Sequence, residues 1–323
     1  MQLGYAISSE EHAPLDLVDH AVRAEKAGFE FALVSDHFHP WIDRQGSSPF
    51  VWAVLGGIAT RTETLRVGTG VTCPTIRIHP AIIAQAAATA AAMLPGRFFL
   101  GVGTGENLNE HVLGDRWPPA DLRREMLEEA VAVMRELWDG GLTTHRGRHY
   151  TVEGARLYTL PDEPVEVMIA ASAPESAALA GRIGDGFVGT APKRELLDAF
   201  EEAGGADKPR FGQVTVCWAE SEREARKTAF EIWPNAALGG PLAQELPLPS
   251  HFEAASEMVT EEDVASQVVC GPDVDKHVAA IDSFVDAGYD HVYVHQVGPD
   301  QEGFIRFAEG ELLPRYAALV AGA

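Results

Sequence analysis

Residues 65–106, LRVGTGVTCPTIRIHPAIIAQAAATAAAMLPGRFFLGVGTGE, contain two apolar runs on either side of an alanine-rich segment. The runs Leu65–Thr72 and Phe98–Val102 have the length and composition of buried strands, and Pro80–Leu94 predicts a helix between them. Short, continuously apolar strands joined by a helix are typical of a parallel sheet that is covered by its helices. This stretch therefore predicts one strand–helix–strand unit.

The same alternation continues on both sides of this unit. It predicts six further strands, at Leu3–Ser8, Phe31–Ser35, Val165–Ala170, Gly186–Thr190, Val214–Trp218 and His291–His295. It predicts further helices at Pro14–Gly28, Pro49–Thr60, Leu122–Trp138, Glu175–Ile183, Glu195–Ala203, Arg223–Trp233, Val274–Ala287 and Gly303–Ala321. Eight strand–helix units in one chain favour an α/β fold of the closed (β/α)8 TIM-barrel type. A doubly wound open sheet is the alternative.

Two segments interrupt this alternation. Thr144–Tyr158 has the pattern of a short hairpin, and Pro234–Thr260 contains four prolines and no clear period. Long irregular insertions often form a lid or a binding loop. We expect one barrel domain over residues 1–323, with residues 234–260 as a lid or substrate loop.

Composition limits the kind of partner. The formal charge of −23 should repel nucleic acid and anionic membrane surfaces. The three cysteines are far apart and form no CxxC pair, which argues against a disulfide scaffold or a zinc site. No leader-like segment precedes the first strand, and the apolar stretch Ala81–Leu94 is too short to span a bilayer. We therefore expect a cytoplasmic protein that acts on a small molecule.

Active sites of such barrels lie at the carboxyl ends of the strands. His37 follows the second predicted strand and Glu106 follows the fourth. An imidazole exchanges protons near neutral pH, and a carboxyl group in a cleft can act as an acid, so the two side chains are candidates for acid–base catalysis. Each also has a structural interpretation: a histidine bonded to a backbone carbonyl, and a helix-capping carboxylate. Trp41 is either a site residue or part of the core.

Two further turns at predicted strand ends have features of ligand-binding motifs. The glycine-rich turn at 101–106 is not a dinucleotide fingerprint, because the third glycine position is Glu106. The Ser172–Ser176 turn opens a helix at Pro174, where free N–H groups either bind an anion or form an ordinary helix start. Asp36, His37 and His39 match no usual metal-ligand spacing, so we expect no metal site.

Specific motifs at these strand ends point to a family. They are Ser35-Asp36-His37-Phe38 with Pro40-Trp41, and Leu100-Gly-Val-Gly-Thr-Gly-Glu106 with Leu108-Asn109-Glu110. Weaker motifs are Gly181–Phe187 and His79-Pro80 with Ala84-Gln85. Because of these motifs, the sequence resembles the luciferase-like flavin and deazaflavin enzymes. The resemblance extends from Leu3 to Pro314. It is most similar to the group of glucose-6-phosphate dehydrogenases that depend on coenzyme F420.

The resemblance implies a luciferase-like TIM barrel with insertions and a role for each motif. His37 would take the proton of the substrate hydroxyl, Trp41 would steady the reacting groups, and Glu106 would transfer a proton at the deazaflavin ring. The implied cofactor contacts are Asp36, Gly70, Val71, Cys73, Thr104, Gly105, Asn109, Ser172, Ala173, Glu175 and Ser176, with Thr190 and Lys193 toward the substrate. Relatives have a non-proline cis peptide on the third strand, and the matching bond is Gly70–Val71.

Departures from the family concern the substrate. Its members hold a sugar phosphate with two lysines and one arginine, of which only Lys193 has a match; Ser266 stands near the arginine position, and no Lys or Arg occurs from Thr228 to Asp275. Losing two charge-assisted hydrogen bonds, worth about 1.5–3 kcal/mol each, weakens binding by roughly two to four decades. We therefore expect glucose 6-phosphate to be a poor substrate. The insertion offers instead the apolar Leu242, Leu246, Leu248, Phe252 and Met258, and the polar Gln244 and His251.

Three functions are consistent with these residues. The leading one is hydride transfer between a hydroxylated substrate (an alcohol, sugar or sugar phosphate) and coenzyme F420. The others are an FMN-dependent luciferase-like monooxygenase and a cofactor-binding barrel without turnover. The resemblance also implies a homodimer. The Ala-rich helix at Ala81–Ala92 would pack either on a second subunit or on the barrel.

Overall fold

The computed structural model describes residues 1–320, with side-chain packing described through Tyr316. Its strands are β1 (Gln2–Ile7), β2 (Phe31–Val34), β3 (Arg66–Thr69), β4 (Phe98–Val102), β5 (Thr143–Arg146), β6 (Thr151–Ala155), β7 (Glu166–Ala170), β8 (Gly186–Gly189), β9 (Arg210–Cys217), β10 (Val269–Cys270) and β11 (His291–Gln296). Its helices are α1 (Pro14–Ala27), α2 (Val51–Ala59), α3 (Pro80–Met93), α4 (Asn107–Glu110), α5 (Ala120–Trp138), α6 (Pro174–Ile183), α7 (Arg194–Phe200), α8 (Glu222–Ile232), α9 (Leu242–Glu245), α10 (Pro249–Ser256), α11 (Glu261–Ala265), α12 (Val274–Ala287), α13 (Gln301–Phe307) and α14 (Leu313–Val320).

Eight parallel strands close into a barrel in the order β1-β2-β3-β4-β7-β8-β9-β11. The β8–β9 and β11–β1 pairings complete the circle, which confirms the predicted (β/α)8 architecture and excludes the open sheet. The two-residue strand β10 pairs with the end of β9 beyond the reach of β8. A strand this short carries no periodic signal, and the sequence did not predict it.

Aromatic and aliphatic side chains fill the lower part of the barrel interior. Its core is formed by Ala6, Phe31, Leu33, Phe99, Met168, Val188, Phe211 and Tyr293. Glycines make room for the rings: a Cβ on Gly4 would lie 2.4 Å from the Phe31 ring, and one on Gly68 would lie 2.2 Å from the Phe99 ring. Ala6, Leu33, Val188 and Tyr293 of this core also form the floor of a cavity at the carboxyl ends of the strands, where the barrel can bind a ligand.

Both segments that interrupt the alternation contain regular structure. The predicted hairpin at Thr144–Tyr158 is confirmed, because β5 and β6 pair antiparallel there. In Pro234–Thr260, where the sequence shows no clear period, a 3-10 turn at Pro234–Ala237, α9 and α10 occupy much of the segment. Pro234 and Pro249 stand at helix starts, where their missing N–H groups cost nothing. These helices are too short to show a period in the sequence.

The boundaries of other elements also differ between the prediction and the structure. The predicted helix Gly303–Ala321 is α13 and α14 joined by a π-type turn at Ala308–Leu312, and Ala321 lies outside the described residues. Helix α3 buries Ile83, Ala84 and Ala87 in the hydrophobic core around the barrel. Within residues 1–320, no helix combines the length and the apolar character that a bilayer span requires.

Candidate active site

A cavity of about 680 Å³ opens at the carboxyl ends of the barrel strands, a volume typical of small-molecule sites. Eleven of the sequence-predicted site residues line it: His37, Trp41, Gly70, Val71, Thr104, Gly105, Glu106, Ser172, Ala173, Ser176 and Thr190. Five others are absent from its wall: Asp36, Cys73, Asn109, Glu175 and Lys193. The barrel thus brings the two predicted proton-transfer groups, His37 and Glu106, to one cavity.

His37 is held in the tautomer of a base. Its Nδ1 lies 3.4 Å from Oε1 of Glu10 and 3.2 Å from the carbonyl oxygen of His39. Both neighbours are acceptors, so Nδ1 carries the proton and Nε2 keeps its lone pair. Nε2 makes no hydrogen bond to any residue that the structure describes, so it is available to a hydroxyl group in the cavity.

Trp41 fixes the position of this imidazole from the side. Its ring meets that of His37 at a centroid distance of 5.0 Å and an angle of 61°, and it meets Phe252 of α10 at 5.2 Å and 77°. Edge-to-face pairs of this kind are favourable packing arrangements. The insertion therefore reaches the reacting end of the cavity through Phe252 and Trp41.

Glu10 is a site residue that the sequence analysis missed. It is buried behind His37, and its Oε2 accepts hydrogen bonds from Ser8 Oγ at 2.9 Å and Ser35 Oγ at 2.8 Å. Burial raises the pKa of Glu10, but the neighbouring His37 and the hydrogen bonds outweigh it and the net shift is downward. The carboxylate therefore stays ionised and orients His37. The sequence feature that could have indicated Glu10 is the polar run Ser8–His12 at the end of the first strand.

Glu106 faces the cavity from the start of α4. It stands at the N-cap position, but its side chain accepts no hydrogen bond from the helix N–H groups, which removes the capping interpretation. Instead its Oε2 accepts from Nδ2 of Asn109 at 3.3 Å. Oδ1 of Asn109 accepts from the backbone N–H groups of Phe38 and His39. Asn109 therefore links the loop that carries His37 to Glu106.

Asp36 lies beneath the cavity in a buried ion network. Its Oδ1 is 2.9 Å from Nη2 of Arg77, and its Oδ2 accepts from Oγ1 of Thr72 at 2.8 Å. Arg77 also reaches Glu110, with 3.6 Å between Nε and Oε1. Burial raises the pKa of Glu110 to about 7, against the opposing effect of Arg77. These contacts give Asp36 a supporting position.

The β3 and β4 side of the cavity is a close-fitting backbone surface. The Gly70–Val71 peptide is cis, as the resemblance implied. A Cβ on Gly103 would lie 3.0 Å from Val71 Cγ2, and one on Gly105, whose φ is +78°, would lie 2.6 Å from Sγ of Cys73. Cys73 itself is buried beside Thr75. With Leu33, Ala170 and Val188, which also line the cavity, this surface can accept a flat ring.

The start of α6 forms the neighbouring edge of the cavity. Its N-cap residue Ala173 supplies no side-chain hydrogen bond, and Pro174 stands at the first helical position. Ser172, Ala173 and Ser176 line the cavity, whereas Glu175 is exposed beside it. Uncapped N–H groups at a helix start suit an anionic oxygen, such as that of a phosphate. A flat ring and a phosphate therefore both find matching surfaces on this side of the cavity.

Cationic groups enter the cavity from α5, which the sequence analysis did not consider. Arg123 is occupied, since it donates to the Pro118 carbonyl at 2.7 Å and to Gln244 at 3.1 Å. Arg124 also lines the wall, and no ion pair to it occurs within residues 1–320. Lys193 is exposed outside the lining.

No cluster of three or more metal-ligating side chains occurs in the described part of the chain.

Comparison with known proteins places this geometry in a family. A model of the luciferase-like monooxygenases matches residues 1–291. The chain belongs to this luciferase-like family.

Two curated relatives, from Microbacterium testaceum and Mycobacterium avium, are F420-dependent glucose-6-phosphate dehydrogenases. They are 38% and 37% identical to this chain, over 98% and 99% of it and 97% and 99% of their own lengths. Among solved structures, an F420-dependent secondary alcohol dehydrogenase in complex with an F420-acetone adduct matches with a TM-score of 0.89 and 30% identity, over 96% of this chain and 97% of that one. An F420-dependent tetrahydromethanopterin reductase from Methanopyrus kandleri shares the fold, with a TM-score of 0.79 at 21% identity over 98% of this chain and 99% of that one.

Proposed function

We propose that this protein is an F420-dependent dehydrogenase that transfers a hydride between a CH–OH carbon of its substrate and coenzyme F420. One observation carries the proposal: Nδ1 of His37 is held by Glu10 and the His39 carbonyl, so Nε2 is a base that faces the cavity. Membership of the luciferase-like family and the names of the full-length relatives support the choice of cofactor.

The chain's own residues prepare the reaction. When bound, F420 supplies the ring carbon that exchanges the hydride. His37 takes the proton of the substrate hydroxyl at Nε2, and Trp41 keeps the imidazole in position. Glu106 holds or donates the proton needed at the ring. The same groups serve the reverse direction, in which a carbonyl is reduced.

The cofactor would lie against the β3, β4 and α6 side of the cavity. The direct contacts we propose are Gly70, Val71, Thr104, Gly105, Ser172, Ala173 and Ser176, which line the cavity. Asp36, Cys73 and Asn109 would act from behind this surface, and Glu175 from its edge. Thr190, on the wall, would contact the substrate, and Lys193 would reach it only by extending from the surface.

A fluorescence titration with F420, repeated with FMN, tests the cofactor. We expect F420 to bind with a micromolar or lower Kd and FMN to bind far more weakly, because the full-length relatives are F420-dependent enzymes. Preference for FMN would contradict the proposal and indicate a monooxygenase. Tight F420 binding without reduction by any alcohol would indicate a binding barrel without turnover.

Glucose 6-phosphate should be a poor substrate, with a KM in the millimolar range or above. Only Arg124 brings a cation without an ion pair to the cavity wall among the described residues, whereas the expected insertion lysine and the downstream arginine are missing. Steady-state F420 reduction with glucose 6-phosphate and neutral alcohols makes the comparison. A micromolar KM for glucose 6-phosphate would contradict the expectation, and Arg124→Gln would then show whether Arg124 is responsible.

We also propose a role for the insertion and an oligomeric state. Residues 1–323 would act as one barrel domain, with residues 234–260 as a substrate loop, since Asn235, Gln244 and Phe252 line the cavity. We further propose a homodimer located in the cytoplasm. The solvent-exposed side chains of Ile82 and Met93 on α3 are candidates for the dimer contact, which light scattering on the purified protein would detect.

A further inference from the structure

His295 is a buried polar side chain on the cavity wall that lacks a partner. It is 4% exposed, and neither Nδ1 nor Nε2 makes a hydrogen bond to any of the residues whose side chains are described, 1 to 316. Nε2 lies 3.9 Å from Oε1 of Glu11, beyond hydrogen-bond distance, and the ring packs edge-on against Trp233. Because buried polar groups are nearly always paired in native proteins, an unpaired one facing a cavity indicates a ligand.

The charge state of His295 suits a neutral ligand. Burial lowers its pKa to about 4, against the opposing effect of Glu10 and with a further lowering by His12. Burial also raises the pKa of the facing Glu11 to about 8. Near pH 7 the ring is therefore neutral and offers one donor and one acceptor. A hydroxyl group, which both donates and accepts, can pair with either nitrogen, whereas an ionised phosphate, which mainly accepts, can pair only with the N–H.

Polar neighbours extend this surface. Thr215 of β9 is the register partner of His295 on β11. Gln213 is the partner of Tyr293, which lies two residues before His295 on the same strand. Both side chains line the cavity. In the closed barrel, β9 and β11 lie across from β3 and β4, so this polar wall faces the surface that carries Gly70 and Val71.

His295 and His37 line the same cavity. β1 separates their strands, and strands are spaced by about 4.8 Å, which puts the two strands roughly 10 Å apart before their side chains turn inward. A chain of contacts links them: Glu10, beside His37, lies 2.9 Å from Ser8 Oγ, which lies 3.4 Å from Glu11, beside His295. Ser8 and Glu10 also line the cavity. The two rings can therefore contact two oxygens a few bonds apart.

We infer that His295, with Thr215 and Gln213, binds a second oxygen of the substrate, so that the substrate is a neutral polyol or sugar instead of a monohydroxyl alcohol. The inference rests on the proposed function, in which His37 contacts the reacting hydroxyl. It assigns specificity to β9 and β11, and it accounts for a cavity that lacks the expected phosphate-binding cations.

Nuclear magnetic resonance of the full chain labelled with 15N-histidine tests binding without requiring turnover. Glycerol, erythritol and D-glucose are added in turn, with propan-2-ol as the monohydroxyl comparison, and His295→Leu identifies the ring signals. At least one polyol should shift the His295 signals more than propan-2-ol does. Unchanged signals with every polyol, or an equal shift with propan-2-ol, would overturn the inference.

Kinetics provide the second readout. His295→Leu should lower the ratio of kcat/KM for the best polyol to kcat/KM for propan-2-ol by about tenfold, mainly through KM, which corresponds to roughly 1.4 kcal/mol. His295→Asn, which keeps a donor and an acceptor, should restore part of the ratio. Thr215→Val is expected to act in the same direction and replaces His295→Leu if that variant does not fold. An unchanged ratio would contradict the inference.

The two readouts separate this inference from the proposed function. A polyol that shifts the His295 signals without reducing F420 would support the second-oxygen site and overturn the dehydrogenase assignment. F420 reduction by alcohols without any effect of His295 would support the assignment and overturn the site.

Discussion

Replacement of His37 by Ala should lower kcat for alcohol-dependent F420 reduction by about 10²–10⁴-fold, the usual contribution of a positioned general base. Nε2 of His37 is the basic nitrogen at the cavity, because Nδ1 is occupied by Glu10 and the His39 carbonyl. F420 affinity should change little, since the proposed ring surface is on β3 and β4. Stopped-flow kinetics and a fluorescence titration measure the two quantities separately.

His39→Gln is the matched control for this variant. His39 lies two residues away, bonds to the Leu108 carbonyl at 2.9 Å and does not line the cavity. The His39→Gln variant should retain most of the activity. If His37→Ala kept turnover close to that of the parent protein, or lost F420 binding to the same extent as activity, His37 would not be the base.

Replacement of Glu106 by Gln should also lower kcat by about 10²-fold or more, because an amide cannot transfer the proton that the ring requires. Gln is nearly isosteric and can still contact Asn109, which now lies 3.3 Å from Glu106 Oε2. The loop that carries His37 should therefore keep its position. Kinetics with F420 at saturation distinguish the loss of proton transfer from a loss of cofactor binding.

Glu110→Gln separates catalysis from packing in the same short helix. Glu110 is buried off the cavity wall, where its Oε2 accepts from the backbone N–H of Arg77 at 2.8 Å. Its replacement should affect thermal stability more than kcat, whereas Glu106→Gln should do the opposite. A kcat for Glu106→Gln equal to that of the parent protein would remove Glu106 from the mechanism.

Local sequence determined the strands and helices of the barrel. Continuous apolar runs joined by helices indicate parallel strands, since the strands of a covered parallel sheet are buried on both faces, and residues 65–106 already carry this pattern. The candidate groups His37, Trp41 and Glu106 could also be located, because each directly follows a strand whose carboxyl end must lie at the open end of the barrel.

Closure of the barrel decided which of these residues meet. Glu10 lies beside His37, and Asp36 pairs with Arg77. Arg124 reaches the cavity from α5, and His295 lines it without a hydrogen-bond partner among the described residues. None of these relations has a local signature, because each joins side chains from different elements of the fold. Their geometry depends on strand order and stagger around the closed sheet. The sequence therefore determined the architecture and the candidate reacting groups, and the tertiary structure alone decided which side chains pair and which polar groups line the cavity.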